Sequence, residues 1–330
     1  MTAVAGTTDT YDLSTQVRED LEDVIWDLFP MDTWALTNLD KVDCESTKHE
    51  WQADALDAAT TNAVVEGDDV SFSASTVLAA TRYNNYTQIS RKQFVISDTT
   101  EVVNLAGIKS QVARTTMKRM RELKRDIEKA ILGASGSCAG SQAVARLSAG
   151  MEAWIASTDH SGNGIRATTT NAGSSVGFTS GAVTAPTDGG SFGGLAQADL
   201  NSTLEAAWND GGNPTVILVN STHKQTLDGF TSRATNFVDV DKGANVPILT
   251  SANVYVSDWG RHTIQLSRYL RTNPSVLLAI DPEYWATGWL RRPKMVPLAK
   301  TGDGEKRMII AEWTLIARNP DSSGKVFSLS

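Results

Sequence analysis

The chain has 330 residues, 41% of them hydrophobic and 21% charged. That composition excludes global disorder and collagen-like repeats, and the length is enough for a substantial core. A net charge of −8 and an isoelectric point near 5.1 argue against a general nucleic-acid binder.

Val17 to Phe29 carries Leu21, Val24, Ile25, Leu28 and Phe29 at helical spacing. Pro30 ends that helix, because proline disfavours helical backbone in the residue before it. Residues 41–57 and 82–96 read as extended. The second is rich in β-formers, with Tyr83, Tyr86, Thr87, Ile89, Phe94, Val95 and Ile96. Between them, Ala58 to Thr81 is small and acidic, with a turn at Glu66-Gly67-Asp68-Asp69. It is too poor in apolar residues for a core and too long for a tight turn. A long projecting hairpin is expected, and such an arm needs a neighbouring surface to lie on.

One long helix is predicted from about Thr99 to Leu132. Asp98 stands at its N-cap with Glu101 in the capping-box position, and Gly133 closes it. Leu105, Ile108, Val112, Thr116, Met120, Leu123, Ile127 and Ile131 make one apolar stripe. Such a beam would span roughly 50 Å. Its polar side carries Lys109, Arg114, Lys118, Arg119, Arg121, Lys124, Arg125 and Lys129.

From Thr158 to Gly194 the chain turns to Gly, Ser, Thr, Asn and Ala, which reads as exposed loop or a weak β insertion. A helix follows at about Ala196 to Asn209, a buried strand at Thr215 to Val219, a short helix at Thr222 to Phe230 and a strand at Val254 to Ser257. The tail is strand-rich: Ile264 to Ser267, Ser275 to Ile280, Trp285 to Leu290, Met295 to Leu298 and Arg307 to Arg318. Thr301-Gly302-Asp303-Gly304 joins the last two as a hairpin. The fold class is α+β, with sheet built from sequence-distant segments. No apolar run approaches the ~18 residues of a membrane helix, and no secretory signal is expected at Met1 to Gly6.

Charge is uneven along the chain. Residues 1–80 hold seventeen acidic groups against Arg18, Lys41 and Lys48, whereas residues 81–132 hold eleven basic groups against five acidic. Two mutually attractive surfaces are expected, within one copy or between copies; solvated faces kept for solubility are the plainer alternative.

The search for chemistry assigns no catalytic, cofactor-binding or metal-ligating residue. His49, His160, His223 and His262 lack the spacings of zinc sites, and no phosphate-binding glycine loop occurs. Cys44 and Cys138 have no C-x-x-C spacing and read as reduced thiols. Gly136-Ser137-Cys138-Ala139-Gly140 is similar to a nucleophile elbow with cysteine in place of serine, but it follows a helix where the motif needs a strand. A cysteine hydrolase using Cys138 is a distant alternative. The basic face of the 99–132 helix reads as a solvated face, as a direct contact to nucleic acid, or as a surface turned toward an enclosed polyanion or a neighbour's acidic arm. A monomeric DNA-binding protein using Lys118 to Lys129 is the remaining alternative.

Several segments follow one another in a characteristic series. They are Gly211-Gly212-Asn213-Pro214-Thr215, Leu218-Val219-Asn220 with Lys224, Val254-Tyr255-Val256-Ser257-Asp258, and Leu278 through Asp281-Pro282-Glu283-Tyr284-Trp285. Leu290-Arg291-Arg292-Pro293, Pro297-Leu298-Ala299-Lys300-Thr301-Gly302-Asp303 and Glu312-Trp313-Thr314-Leu315-Ile316-Ala317-Arg318-Asn319 complete it. With the acidic arm, long hairpin and long helix before it, this order resembles the major capsid proteins of tailed bacteriophages. Their shell fold is shared with encapsulins and the herpesvirus capsid floor. The resemblance covers most of the chain and is strongest from about residue 200.

The resemblance implies an N-terminal arm at 1–40, an extended β-hairpin loop with flanking strands at 41–96, and a spine helix and connector of a peripheral domain at 97–157. It further implies a Gly/Ser/Thr-rich loop or insertion at 158–195, an axial domain at 196–270, and peripheral-domain sheet with the C-terminus at 271–330. Pentamers and hexamers of this chain would form an icosahedral head enclosing double-stranded DNA on the inner face, assembled in the host bacterial cytoplasm. Implied partners are a portal protein, a separate scaffolding protein (the loop and spine begin too early to leave room for a fused one) and decoration proteins. No cofactor and no membrane are implied. An encapsulin-like nanocompartment shell is the nearest alternative.

Overall fold

The computed structural model describes residues 32–54, 63–69, 80–103, 107–168, 173–230 and 253–330, with positions 56, 59, 61 and 105. The helix expected over 17–29 and most of the 58–81 connection lie outside the described residues. A short helix, α1 (Trp34–Asn38), leads into strands β1 (Asp40–Asp43) and β2 (Lys48–Ala53). After the long connection come β3 (Thr81–Tyr86) and β4 (Gln88–Ile96), then helices α2 (Asp98–Val102), α3 (Gln111–Ile131) and α4 (Met151–Trp154). The small-residue stretch forms short strands: β5 (Gly164–Arg166), β6 (Gly173–Ser174), β7 (Phe178–Thr179), β8 (Ala182–Val183) and β9 (Thr187–Asp188). Helix α5 (Gln197–Asn209), strand β10 (Val216–Val219) and helix α6 (Ser221–Asp228) follow. The tail contributes β11 (Val254–Ser257), β12 (Gly260–Leu266), β13 (Ser275–Ile280), β14 (Trp285–Pro297), β15 (Glu305–Ala317) and β16 (Gly324–Leu329).

Two sheets dominate. One is four-stranded in the order β1-β14-β15-β4, the other six-stranded in the order β11-β12-β10-β13-β16-β5. The 271–330 segment is thus divided between them. Every residue of β13 and β16 is buried, the pattern of strands covered on both faces, and both lie inside the six-stranded sheet between β10 and β5. The hairpin expected at Thr301–Gly304 joins β14 and β15, paired antiparallel from Trp285↔Ala317 to Pro297↔Arg307. The two strands expected over 285–298 are one, with irregular register around Arg291 to Lys294. Pro293 lies there; it has no amide to donate, and a bulge is where a strand tolerates it.

The single helix expected over 99–132 is two. Gly107 takes φ +68°, left-handed backbone that glycine adopts without penalty, and the chain leaves helical geometry between α2 and α3. Glu101 does not close a capping box on its own helix. Its carboxylate accepts from the amides of Gln111 (3.0 Å) and Val112 (3.3 Å) and from the Ser110 hydroxyl, at the start of α3. Ser110 is the N-cap, its Oγ accepting from Ala113 N at 3.2 Å. The remaining 21 residues of α3 span about 32 Å.

Val112, Leu123, Ile127 and Ile131 form the buried face of α3, which packs on β4 and β15. The main core joins Leu123, Ile127 and Ile131 to Trp154 of α4, to Ile309, Trp313 and Leu315 of β15, and to Leu218, Val276, Leu278 and Phe327 of the six-stranded sheet. The alternate residues of that sheet, Ile217, Val219, Leu277, Ala279 and Val326, face Leu200 and Leu204 of α5 and Leu227 of α6. Period-two alternation thus gives the sheet an apolar layer on each side.

Candidate assembly surface

Strands β2 and β3 pair antiparallel from Lys48↔Tyr86 to Ala53↔Thr81, so the connection between them leaves and returns at one place. This pair is the root of the expected hairpin. A lone two-stranded ribbon is marginal in water, and side-chain contacts hold this root to the body. Trp51 Nε1 donates to Ala317 O at 2.7 Å, Asn85 Nδ2 donates to Leu315 O at 2.7 Å, and Ala149 N donates to Asn85 Oδ1 at 3.0 Å. Trp51, Tyr83, Trp154 and Phe178 cluster beneath, with the Trp154 and Phe178 rings stacked 5.7 Å apart. Beyond the root the character reverses. Leu56 is 98% exposed, and Val64 and Val65 are 75% and 79% exposed. Single exposed aliphatics are ordinary, but a set on one connection, held out from an anchored base, is surface suited to a partner.

A second exposed apolar set includes Val95, Val102, Met117, Met295 and Leu298, from α2, α3 and neighbouring strands. The β14–β15 turn is tied to α2 by the Lys300–Asp98 ion pair (2.6 Å) and by Thr99 donating to Asp303 (3.3 Å). A third set, Trp208, Val254 and Val256, lies at the end of α5 and on edge strand β11.

The basic face of α3 exposes Lys118, Arg121, Lys124 and Lys129. Arg119 pairs with Glu122 at 2.7 Å, and Asp126 with Lys92 at 2.5 Å. Between α1, α3, β1 and β14 lies an open groove of about 270 Å³. Leu36, Met120, Leu123, Ile127, Trp289 and Pro293 give it an apolar lining, and Lys41, Lys124 and Arg292 add positive charge. A separate cleft brings together Arg125, Lys129, Arg268 and Arg271. Part of the acidic leading segment is satisfied within the protomer: Asp32 pairs with Arg268 (2.8 Å), Asp40 with Arg318 (2.9 Å) and Asp43 with Arg292 (2.9 Å). These pairs are exposed and worth only tenths of a kcal/mol.

The strongest electrostatics are buried, and sequence reasoning missed them. Glu128, fully buried, accepts from the amides of Ala35 and Leu36, both at 2.8 Å, and so fastens α1 to α3. Its burial raises its carboxyl above the usual range. Glu312 receives Arg146 (2.6 Å), Arg291 (2.8 Å) and the Thr87 hydroxyl (2.9 Å). Glu152 pairs with Arg271 at 2.5 Å, and Arg271 pairs in turn with Asp188. Lys325 donates to the Glu152 carbonyl oxygen (2.6 Å) and to Ser175 Oγ (2.8 Å). Desolvation pushes Lys325 down to about 7 and Glu152 upward. No periodic cue marks these residues. The one usable signal is position, since Glu128 adjoins Ile127 on the buried side of α3 and Lys325 precedes the apolar Val326-Phe327.

Among the described residues no catalytic group is brought together around Cys138. Its backbone forms an isolated bridge with Leu147 in a loop after α3, not a strand-to-helix turn. The histidines are scattered. His262 donates through Nδ1 to Pro214 O (2.5 Å) and accepts at Nε2 from Ser257 (2.6 Å), which occupies both ring nitrogens. Among the described residues no group of three or more potential metal ligands occurs.

An anchored ribbon and exposed aliphatic patches on a two-sheet body suit a structural protein of the class that builds viral shells, and the comparisons with known proteins establish that class. The SU10 major capsid protein family profile matches residues 3–330, and the chain belongs to that family. The chain is 25% identical over 334 residues to the major capsid protein of Escherichia phage Phieco32, covering 91% of each. Solved structures of the same fold include Gordonia phage Cozz, with a TM-score of 0.60 at 10% identity, covering 99% of this chain and 97% of that one. The capsid of a native GTA particle gives a TM-score of 0.63 at 8% identity, covering 99% and 100%. The SrpI encapsulin complex of Synechococcus elongatus gives 0.55 at 10% identity, covering 98% and 96%. The encapsulin likeness is one of fold alone. The protein is a tailed-phage major capsid protein that forms the head shell, a structural component and not an enzyme.

Proposed function

We propose that the chain assembles into pentamers and hexamers that close an icosahedral shell around double-stranded DNA, with the β2–β3 ribbon lying across a neighbouring subunit. Head-to-tail contacts that close on themselves give rings, and rings of five and six tile a closed surface. The observation that carries this reading is the ribbon, fastened at its root by Trp51 and Asn85 and bearing Leu56, Val64 and Val65 exposed beyond it. Many modest interfaces of this kind add through multivalency.

The part of the N-terminal arm (1–40) before α1, and the extended loop within 41–96, are the reaching parts, while the flanking strands β1 and β4 belong to the four-stranded sheet. The four-stranded sheet with α3 corresponds to a peripheral domain, and the material around 196–270 to an axial one. A portal protein, a separate scaffolding protein and decoration proteins are the expected partners, and assembly takes place in the host cytoplasm. Negative-stain microscopy of the protein, expressed alone and with a candidate scaffolding protein, tests the reading. Closed particles or five- and six-fold rings are expected; a protein that stays monomeric under both conditions overturns it. Nucleic acid inside particles purified from infected cells separates a genome shell from a protein-cargo compartment.

A further inference from the structure

We propose that the solvent side of α3, with the cleft at its C-terminal end, is the lumenal surface on which the shell seats the phosphodiester backbone of its DNA, an inference that rests on the shell reading. Arg114, Lys118, Arg121, Arg125 and Lys129 follow one another at steps of four, three, four and four residues. At about 100° per residue they fall within an arc of about 80°, opposite Leu123 and Ile127 of the buried face. From Arg114 to Lys129 the ridge is about 22 Å long, the length of roughly six base pairs of one strand. Between those two residues the arc holds cations alone.

The acidic residues of α3 do not neutralise this ridge. Glu122 is paired with Arg119 at 2.7 Å and Asp126 with Lys92 at 2.5 Å. Glu128 is buried against the amides of Ala35 and Leu36. Among the described residues no carboxylate stands within ion-pair distance of Arg121, Arg125 or Lys129. At the end of the ridge, Arg125 and Lys129 line an open cleft of about 700 Å³ together with Arg268 and Arg271. The Arg125 guanidinium lies 5.9 Å from the centre of the Tyr269 ring, which holds it at the cleft wall. Arg268 and Arg271 already hold Asp32, Glu152 and Asp188, so Arg125 and Lys129 supply the excess charge.

A straight, evenly spaced line of cations matches the regular charge of a phosphate ribbon, and the arginine fork fits phosphate oxygens. No side chain that reads a base stands among these cations, so the contact is independent of sequence, as a shell holding a whole genome requires. The chain's net charge of −8 keeps a duplex off the remaining surface and confines it to the ridge. Each contact is weak, and its repetition in every subunit gives the grip.

The test titrates full-length subunits with a fluorescent duplex of about 20 base pairs and mixed sequence over a range of salt. Arg121→Gln with Arg125→Gln and Lys129→Gln weakens binding about tenfold or more at about 50 mM salt. It also lowers the slope of log affinity against log salt by about two to three. Arg82→Gln with Arg261→Gln and Lys294→Gln, exposed cations elsewhere, leaves the wild-type curve unchanged. Arg121→Gln with Lys129→Gln alone, both exposed, keeps the wild-type melt and still lowers the slope by about one to two. Wild-type and variant curves that coincide overturn the ridge and leave the shell reading standing. A preference of more than about tenfold between two unrelated duplexes overturns the phosphate assignment. A peptide of residues 1–31 that displaces the duplex and depends on the same three cations makes the ridge a protein contact and overturns the DNA assignment. In a second arm, DNA-filled heads from infected cells are treated with formaldehyde and digested for mass spectrometry. Nucleotide adducts are expected on Lys129; adducts confined to lysines off the ridge, such as Lys294 and Lys300, overturn the lumenal placement. Absence of particles from every preparation, wild type included, overturns the shell reading, and the lumenal placement falls with it.

Discussion

Lys325 sits at 0% exposure on β16, with its ammonium facing a carbonyl and a hydroxyl rather than water. Burial lowers its pKa from 10.5 to about 7, so between those values the unfolded chain binds the proton more tightly than the folded one. Stability therefore rises with pH across that window. Thermal melts of the wild type and Lys325→Met at about pH 7 and pH 10 should show the wild type gaining on the variant as pH rises; a constant difference would count against a buried, titrating ammonium. Asp321 runs the other way. Burial and, less strongly, Asp210 raise it to about 6, so the folded state holds its proton longer and loses stability as pH climbs from 3.8 to about 6. Asp321→Asn should stabilise by on the order of 1–2 kcal/mol near pH 8, and that gain should vanish near pH 3. Glu152→Ala removes the buried one of Arg271's two carboxylate partners and leaves Asp188, and a loss of about 3 kcal/mol in denaturant titration is expected. None of this was legible in the sequence. The charges on Glu152, Arg271 and Lys325 look like surface charges until segments more than a hundred residues apart are brought together.

Among the elements, legibility followed periodicity. The apolar steps from Val112 to Ile131 were read correctly as one buried face, and Ile127→Ala should cost about 2–5 kcal/mol by leaving a cavity under α3. The same stripe, extended backward through Leu105 and Ile108, produced a helix that the backbone does not continue. Helical spacing is necessary but not sufficient, and Gly107 permitted the break. Glu101, expected to cap the helix it sits in, caps the next one, so Glu101→Ala should fray the first turn of α3 in hydrogen exchange. The ribbon root was legible as two β-prone runs around a long connection. Its anchors were not, because Trp51 reaches Ala317 across 266 positions of sequence. Trp51→Ala should destabilise by about 3–5 kcal/mol and loosen the ribbon before the rest of the sheet.

At the scale of the whole molecule, the family was readable from an ordered series of short segments, whereas the sequence offered only uneven charge as a pointer to contact surfaces. The assembly reading predicts salt sensitivity: if the acidic leading segment meets basic surface on another copy, shells form faster at low than at high ionic strength. Light scattering at matched protein concentrations checks this, and equal rates would count against electrostatic docking. The four-stranded sheet carries a further consequence. Strand β4 pairs with β15, and Ile96 meets Glu305 across more than two hundred residues. At bacterial synthesis rates of roughly 5–20 residues per second, β4 leaves the ribosome about ten to forty seconds before its partner exists. Throughout that interval a nascent chain presents an unpaired strand edge in a crowded polysome, beside other chains in the same condition. The subunit's yield therefore depends on how well that waiting edge is shielded while translation runs.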